Sequence, residues 1–262
     1  MPTAQPFKFD ETDLRFIQGR LYFAPFKTGT RDPKGSKPMG NAPEFNITVD
    51  IEELKHKTST FGIPVTDQTV ITNREFSASI TVDDFTMENL AYFFSGDYEQ
   101  VTQTVATVTD EAIQDVSVNS IYYLGVTDAN PYGARDLDPT GFIVKRGATT
   151  LVEGTDYLVD AERGSIQFLT GAEGDDYTVT YETLATTYTR AKSGSSENEG
   201  SLVLESKNAT GDDVRVRMPY VKLKPNGDLS MITTEFATIP LSIEILALPN
   251  KQPFYIDNFA AS

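Results

Sequence analysis

The sequence predicts an all-β chain with one short helix, and three observations carry that prediction. Threonine occurs 32 times among 262 residues, beside 12 Tyr and 16 Phe, and side chains of these types fit a pleated, half-buried surface better than a helix. Apolar and polar residues alternate through several long runs, which is the period of a strand with one wet face. Only one stretch combines helical spacing with end signals on both sides.

The first clear strand is 18–25, preceded by residues 1–17, where Phe7, Phe9, Leu14 and Phe16 lie among charges without a steady period. That opening segment reads as an arm that needs a neighbour to order it. Residues 28–42 hold Pro33, Gly35, Pro38 and Gly40 with Arg31, Lys34 and Lys37, a mobile basic loop by composition. From Glu44, Phe45, Ile47, Val49 and Ile51 point one way while Asn46, Thr48, Asp50 and Glu52 point the other. A partner strand follows at 74–83, with Phe76, Ala78, Ile80 and Val82 dry and Ser77, Ser79, Thr81 and Asp83 wet. Between them, 58–73 is too long for a tight hairpin turn and carries Phe61, Ile63, Val65, Val70 and Ile71, a long apolar loop that wants a partner surface.

In 85–95, Met87, Leu90, Phe93 and Phe94 share a helical face, with acidic residues before them and Gly96 after, so this is the single capped amphipathic helix. The segment 103–188 is a compositional island. It holds 14 acidic and 4 basic residues, net −10, which leaves 38 − 14 = 24 acids and 22 − 4 = 18 bases elsewhere, net −6. Short strands around 120–126, 142–146, 157–159, 165–169 and 177–182, separated by Gly, Asp and Pro, mark it as a small inserted β module. The polar stretch 191–200 returns the chain to its first domain, where strands resume at 201–205, 213–223 and 239–246. The tail 249–262, with Phe254, Tyr255, Ile256 and Phe259, reads as a second arm.

Charge and residue usage exclude several functions. With 38 acidic against 22 basic residues the formal charge is −16, the wrong sign for gripping nucleic acid phosphates. The absence of Cys removes disulfides, thiolate zinc sites and cysteine nucleophiles, and suits a reducing cytoplasm. His56 is the one histidine, so a Ser-His-Asp triad or a histidine metal site has no material. No run reaches the roughly 18 to 20 apolar residues of a membrane span, and residues 1–6 lack a basic region followed by an apolar one. The expectation is a soluble, unexported chain without a membrane partner.

The acidic pairs Asp136 with Asp138, Asp175 with Asp176, and Asp212 with Asp213 are the only candidate chemistry. Each sits in a turn and none matches a calcium loop, so they read as solvated turn acids rather than as a metal site or the carboxylate pair of a glycoside hydrolase. His56, between Lys55 and Lys57, reads as a surface residue. No catalytic residue, cofactor or metal is expected, and the chain is not expected to be an enzyme.

Several segments together resemble bacteriophage tail tube proteins, the major tail proteins of long-tailed phages. They are Gly19-Arg20-Leu21-Tyr22-Phe23-Ala24-Pro25-Phe26, Phe45-Asn46-Ile47-Thr48-Val49-Asp50, and 74–85 leading into Asn89-Leu90-Ala91-Tyr92-Phe93-Phe94. Residues 217–229 and the closing Ile243-Glu244-Ile245-Leu246 continue the likeness. It covers residues 1–102 and 190–262, a discontinuous tube domain, and leaves 103–189 as an inserted decoration domain similar to small β modules of phage structural proteins. The resemblance implies a sandwich or barrel subunit with a long hairpin loop and extended terminal arms. It further implies a virion protein, assembled in the host cytoplasm into stacked hexameric rings whose inner wall is a barrel of sheets from every subunit.

DNA passes through such a bore during ejection without tight binding, and Ser, Thr and carboxylates lining it would hydrate well and repel phosphates. By strand parity the lumen residues are Thr48, Asp50, Glu52, Ser77, Ser79, Thr81, Asp83, Ser242 and Glu244. Phe61, Ile63, Val65, Val70 and Ile71 of the loop, with Phe7, Phe9, Phe254 and Tyr255 of the arms, would supply contacts between rings. Tape-measure, tail-tip and tail-terminator proteins are the partners the resemblance implies. The alternative reading is an extracellular β-rich adhesin or carbohydrate-binding module, and a hydrolase using Asp175 or Asp212 is the more distant one.

Overall fold

A computed structural model describes residues 15–59 and 62–259. Its strands are β1 (Gly19–Pro25), β2 (Lys37–Pro38), β3 (Glu44–Thr58), β4 (Val65–Val82), β5 (Asp97–Gln103), β6 (Ala106–Val116), β7 (Ile121–Tyr123), β8 (Ile143–Arg146) and β9 (Thr149–Thr150). They continue as β10 (Tyr157–Asp160), β11 (Ser165–Phe168), β12 (Asp175–Thr183), β13 (Thr186–Lys192), β14 (Asn198–Ser206), β15 (Asp213–Pro225), β16 (Ile239–Ile245) and β17 (Tyr255–Phe259). The helix α1 is Met87–Phe93. The chain divides into two compact units, Met1–Tyr98 with Ala191–Ser262, and Glu99–Arg190.

Among the described residues the first unit holds an eight-stranded antiparallel sheet in the order β2-β1-β14-β15-β16-β4-β3, with β17 off this path beside β15. β15 is long enough to hold two partners on one edge: Val221–Pro225 pair with β16, and Asp213–Arg217 pair with β17. Alternation delivers Leu21, Phe23, Ile80, Leu202, Met218, Leu223, Leu241 and Ile243 to a single buried face. Helix α1 adds Leu90 and Phe93 to the same core. Thr86 caps the helix, its hydroxyl accepting from the Asn89 backbone N–H at 3.2 Å, while the buried Asn89 amide donates to the carbonyls of Met39 (3.0 Å) and Asp84 (2.9 Å). Ser95 takes the left-handed conformation at φ 50° that ends the helix. The next residue has to be glycine, because a Cβ on Gly96 would lie 1.7 Å from the Lys192 carbonyl oxygen.

The second unit holds a three-stranded sheet, β10-β11-β7, and a four-stranded one, β6-β12-β8-β9, which share one core. Phe168 and Tyr177 meet there at 4.1 Å between ring centres. The Glu111 carboxylate accepts from the Gly125 N–H at 2.8 Å and from the Tyr181 hydroxyl at 2.6 Å. Burial, then the Glu111 bond, pushes the Tyr181 hydroxyl far above the usual phenol range.

Three expectations are corrected. The sheet of the first unit is open and does not close into a barrel: β2 and β3 are its two ends, and β1 pairs only with β2 and β14 among the described residues. A groove of about 1110 Å³, floored by Leu21, Phe45, Ile47, Leu204, Val214 and Val216, separates residues 17–19 from 43–47 instead of a ladder. Beyond β2, the edge continues only as an isolated bridge between Phe26 and Pro33 among the described residues, and Pro33 has no N–H to extend it. The 58–73 segment is mostly strand rather than loop, since β4 begins at Val65 and its partner β3 runs to Thr58. The C-terminal arm is docked, with Asp213↔Phe259 through Arg217↔Tyr255 in register, because the first half of β15 otherwise presents an unpaired edge.

Candidate functional site

The sheet face opposite the core forms an ordered polar surface, and cross-strand register sets its rows. Thr48 lies opposite Ser77, Ser77 opposite Glu244, Glu244 opposite Lys222, and Lys222 opposite Glu199, a row crossing β3, β4, β16, β15 and β14. Asn46, Ser79, Ser242 and Lys224 form the next row, and Glu44, Thr81 and Pro240 the one after it. Asp50 faces Glu75 and Glu52 faces Asn73 on the hairpin beyond the reach of β16. The first register shift of the hairpin falls between Glu52 and Glu53, so Thr48, Asp50 and Glu52 share one side of β3.

Asp83 stands apart from these rows. It follows the end of β4 with its carboxylate accepting from the Asn41 amide at 2.6 Å.

Two lysines sit on this face that strand parity did not single out. Lys222 lies 2.7 Å from Glu197 and 2.9 Å from Glu199, and Lys224 pairs with Glu244. The Tyr220 hydroxyl donates to Glu199 at 2.7 Å. The Lys222 ammonium holds the Glu199 carboxyl below the ordinary glutamate range, and the bonds to Glu197 and Glu199 hold Lys222 above that of lysine. The signal for them was available, because Lys222 and Lys224 alternate with the buried Val221 and Leu223.

The other residues singled out for contacts fall into three groups. Ile63, Val65, Val70 and Ile71 are all exposed, as is Leu54 beside them, on a bare two-stranded ribbon. Phe254 packs edge-on against Phe76 at 5.4 Å and so contributes to its own unit, while Tyr255 pairs across from Arg217. Phe61, Phe7 and Phe9 lie outside the described residues. Sequence reasoning missed Ile232 and Phe236, which are 98% and 94% exposed in the 226–238 connection, a stretch without alternation.

Asp138, Asp175, Asp176, Asp212 and Asp213 of the acidic pairs have structural partners. Asp138 accepts from the Thr140 hydroxyl (2.7 Å) and N–H (2.8 Å), which lowers its carboxyl range. Asp175 accepts from Arg146 at 3.1 Å and Asp176 from the Asp115 N–H at 3.0 Å. Asp213 accepts from the Asn208 N–H at 2.7 Å and Asp212 from the Asn258 amide at 2.7 Å. His56 Nδ1 lies 2.6 Å from Asp67 on the ribbon. Among the described residues no group of three acidic or histidine side chains could hold a metal ion, and no helix is long and apolar enough to cross a membrane.

The chain belongs to the family described as Protein of unknown function UCP028589, which matches residues 15–254 and so spans both units. No curated protein matches the sequence.

Proposed function

We propose that this chain is a structural subunit of a phage tail tube, stacking as hexameric rings around a bore through which DNA passes during ejection. The observation that carries the reading is the division of labour in the first unit. One sheet face is sealed by α1 and the core, the other carries rows of Ser, Thr and carboxylates across β3, β4 and β16, and the β3–β4 ribbon leaves its apolar residues bare. A face of hydroxyls and carboxylates hydrates well and repels a polyphosphate, so DNA can slide along it without being held.

The two lysines fit that role because each is neutralised in place by Glu197, Glu199 or Glu244. With Glu44, Glu199 and Glu244 against Lys222 and Lys224, the rows that cross β3, β4, β16, β15 and β14 are negative overall, 2 − 3 = −1. The ribbon with Leu54, Ile63, Val65, Val70 and Ile71 supplies contacts between copies, and the inserted unit decorates the tube exterior. The subunit acts in the virion tail, assembled in the host cytoplasm with tape-measure, tip and terminator proteins.

Negative-stain electron microscopy of the purified chain across a concentration series tests this. Hollow rings or tubes with sixfold end-on views are expected. A chain that stays monomeric at every concentration contradicts the proposal.

A further inference from the structure

The polar face of the first unit separates its unpaired charges to opposite ends of the sheet. At one end a groove of about 630 Å³ lies between residues 31–36, β14, the first half of β15, and β17. Arg31, Lys34, Arg217 and Lys251 line it with one carboxylate, Asp257, so the groove is locally 4 − 1 = +3 in a chain of net −16. Among the described residues none of these four cations makes an ion pair. Arg31 instead lies over the Tyr220 ring at 4.9 Å. Gathering unpaired cations in one groove is unfavourable unless an anion enters it.

The other end has the complementary defect. Asp50 and Glu75 face each other across the β3–β4 ladder, with Glu52 next on the same side. Like charges directly opposite weaken a strand pair. Among the described residues no cation pairs with Asp50, Glu52 or Glu75. The strand order places this patch on β3 and β4 and the groove on β1, β14, β15 and β17, so β16 and half of β15 stand between them within one copy.

We infer that the acidic patch of one copy, Asp50, Glu52 and Glu75, seats in the cationic groove of Arg31, Lys34, Arg217 and Lys251 of a second copy. The patch and the groove lie at opposite ends of one sheet, so a copy that takes its patch from one neighbour and offers its own to another makes a head-to-tail contact that repeats into a ring or an open helix. The ribbon suits insertion because beyond Phe76 it carries no third strand. This inference names the contact between neighbours in the proposed tube and rests on that reading only for closure into rings.

Charge reversal tests it on the full chain. One variant carries Lys34→Glu with Arg217→Glu, the other Asp50→Lys with Glu75→Lys, and sedimentation velocity reads association. All four side chains are exposed, and circular dichroism with thermal melting checks that both variants fold. If either does not, Lys34→Gln with Arg217→Gln and Asp50→Asn with Glu75→Gln replace them.

Each reversed variant alone should associate at least about tenfold more weakly than the parent chain. A one-to-one mixture should recover association, because each variant then offers what the other lacks. Association of the parent should weaken as salt rises. Variants that assemble as the parent does, or a mixture no better than its components, would overturn this contact and leave the tube reading standing. A parent chain that never associates would overturn both.

Discussion

The inner and outer halves of the β3–β4 hairpin are one continuous ladder in two different environments. In the inner half, β16 pairs with Phe76–Val82 and the core receives Ile80, which is 1% exposed. In the outer half the two strands have only each other, and Leu54 and Ile63 are 66% and 80% exposed. Both halves carry β-branched residues, and both are paired. The difference shows that alternation specifies pairing and facing, whereas burial has to come from a third element. A two-stranded ribbon is marginal by itself, so in the proposed assembly the outer half is the part of the sheet that a neighbour would complete.

Substitutions can break this contrast from the inside first. Ile80→Ala removes a fully enclosed side chain from the core and should cost about 2–5 kcal/mol in chemical denaturation. Gly200→Ala acts through the backbone next to the register shift of β14. Its Cβ would meet the Ala24 carbonyl oxygen at 2.4 Å and the Phe23 ring at 2.7 Å, and a loss of about 1–3 kcal/mol is expected by the same measurement. Thr86→Ala removes the hydroxyl cap of α1 and should cost about 1 kcal/mol.

The Glu199 carboxyl is depressed by Lys222, so its contribution is present above the ordinary glutamate range and is lost as pH falls through the folded value. Lys222 is raised, so its contribution is complete below the ordinary lysine range and is lost as pH rises through its folded value. Glu199→Gln should therefore flatten the acid limb of a stability-against-pH curve, with an effect below about 1 kcal/mol because the cluster is partly exposed. The smallest change in monomer stability, within about 0.5 kcal/mol, is expected for Leu54→Ser on the ribbon. The same substitution should still reduce association, as read by sedimentation.

Much of the first unit was legible from periodicity alone. The runs at 44–52 and 74–83 became β3 and β4, and Met87, Leu90 and Phe93 became the one helix. What failed was non-local. Alternation is the same in an open and a closed sheet, so nothing in Phe45 or Leu21 reveals that β3 and β1 face a groove instead of each other. The outer ribbon was read as a loop because 58–73 is too long for a tight hairpin turn, and the register shift between Glu52 and Glu53, past which β3 and β4 go on pairing, has no local signature.

The terminal segment from Tyr255 was read as free because the unpaired stretch of β15 that receives it lies far upstream in sequence. In the inserted unit, β6 was missed because Thr109-Asp110-Glu111 dilutes its apolar residues, although Glu111 itself is a structural anchor there. The polar face was half legible. Ser77, Ser79 and Ser242 follow from parity, but Glu199 lay in a stretch that composition marks as a linker, and its pairing with Lys222 emerges only in three dimensions.

Hydrogen–deuterium exchange, read by mass spectrometry on dilute and on assembled protein, addresses the ribbon most directly. Amides of the outer hairpin, 53–58 and 65–71, should exchange fast in the monomer and become protected on assembly, while those of β15 and β16 should be slow in both states. An outer hairpin as protected in the monomer as β16, or one that stays unprotected in the assembled protein, would contradict this.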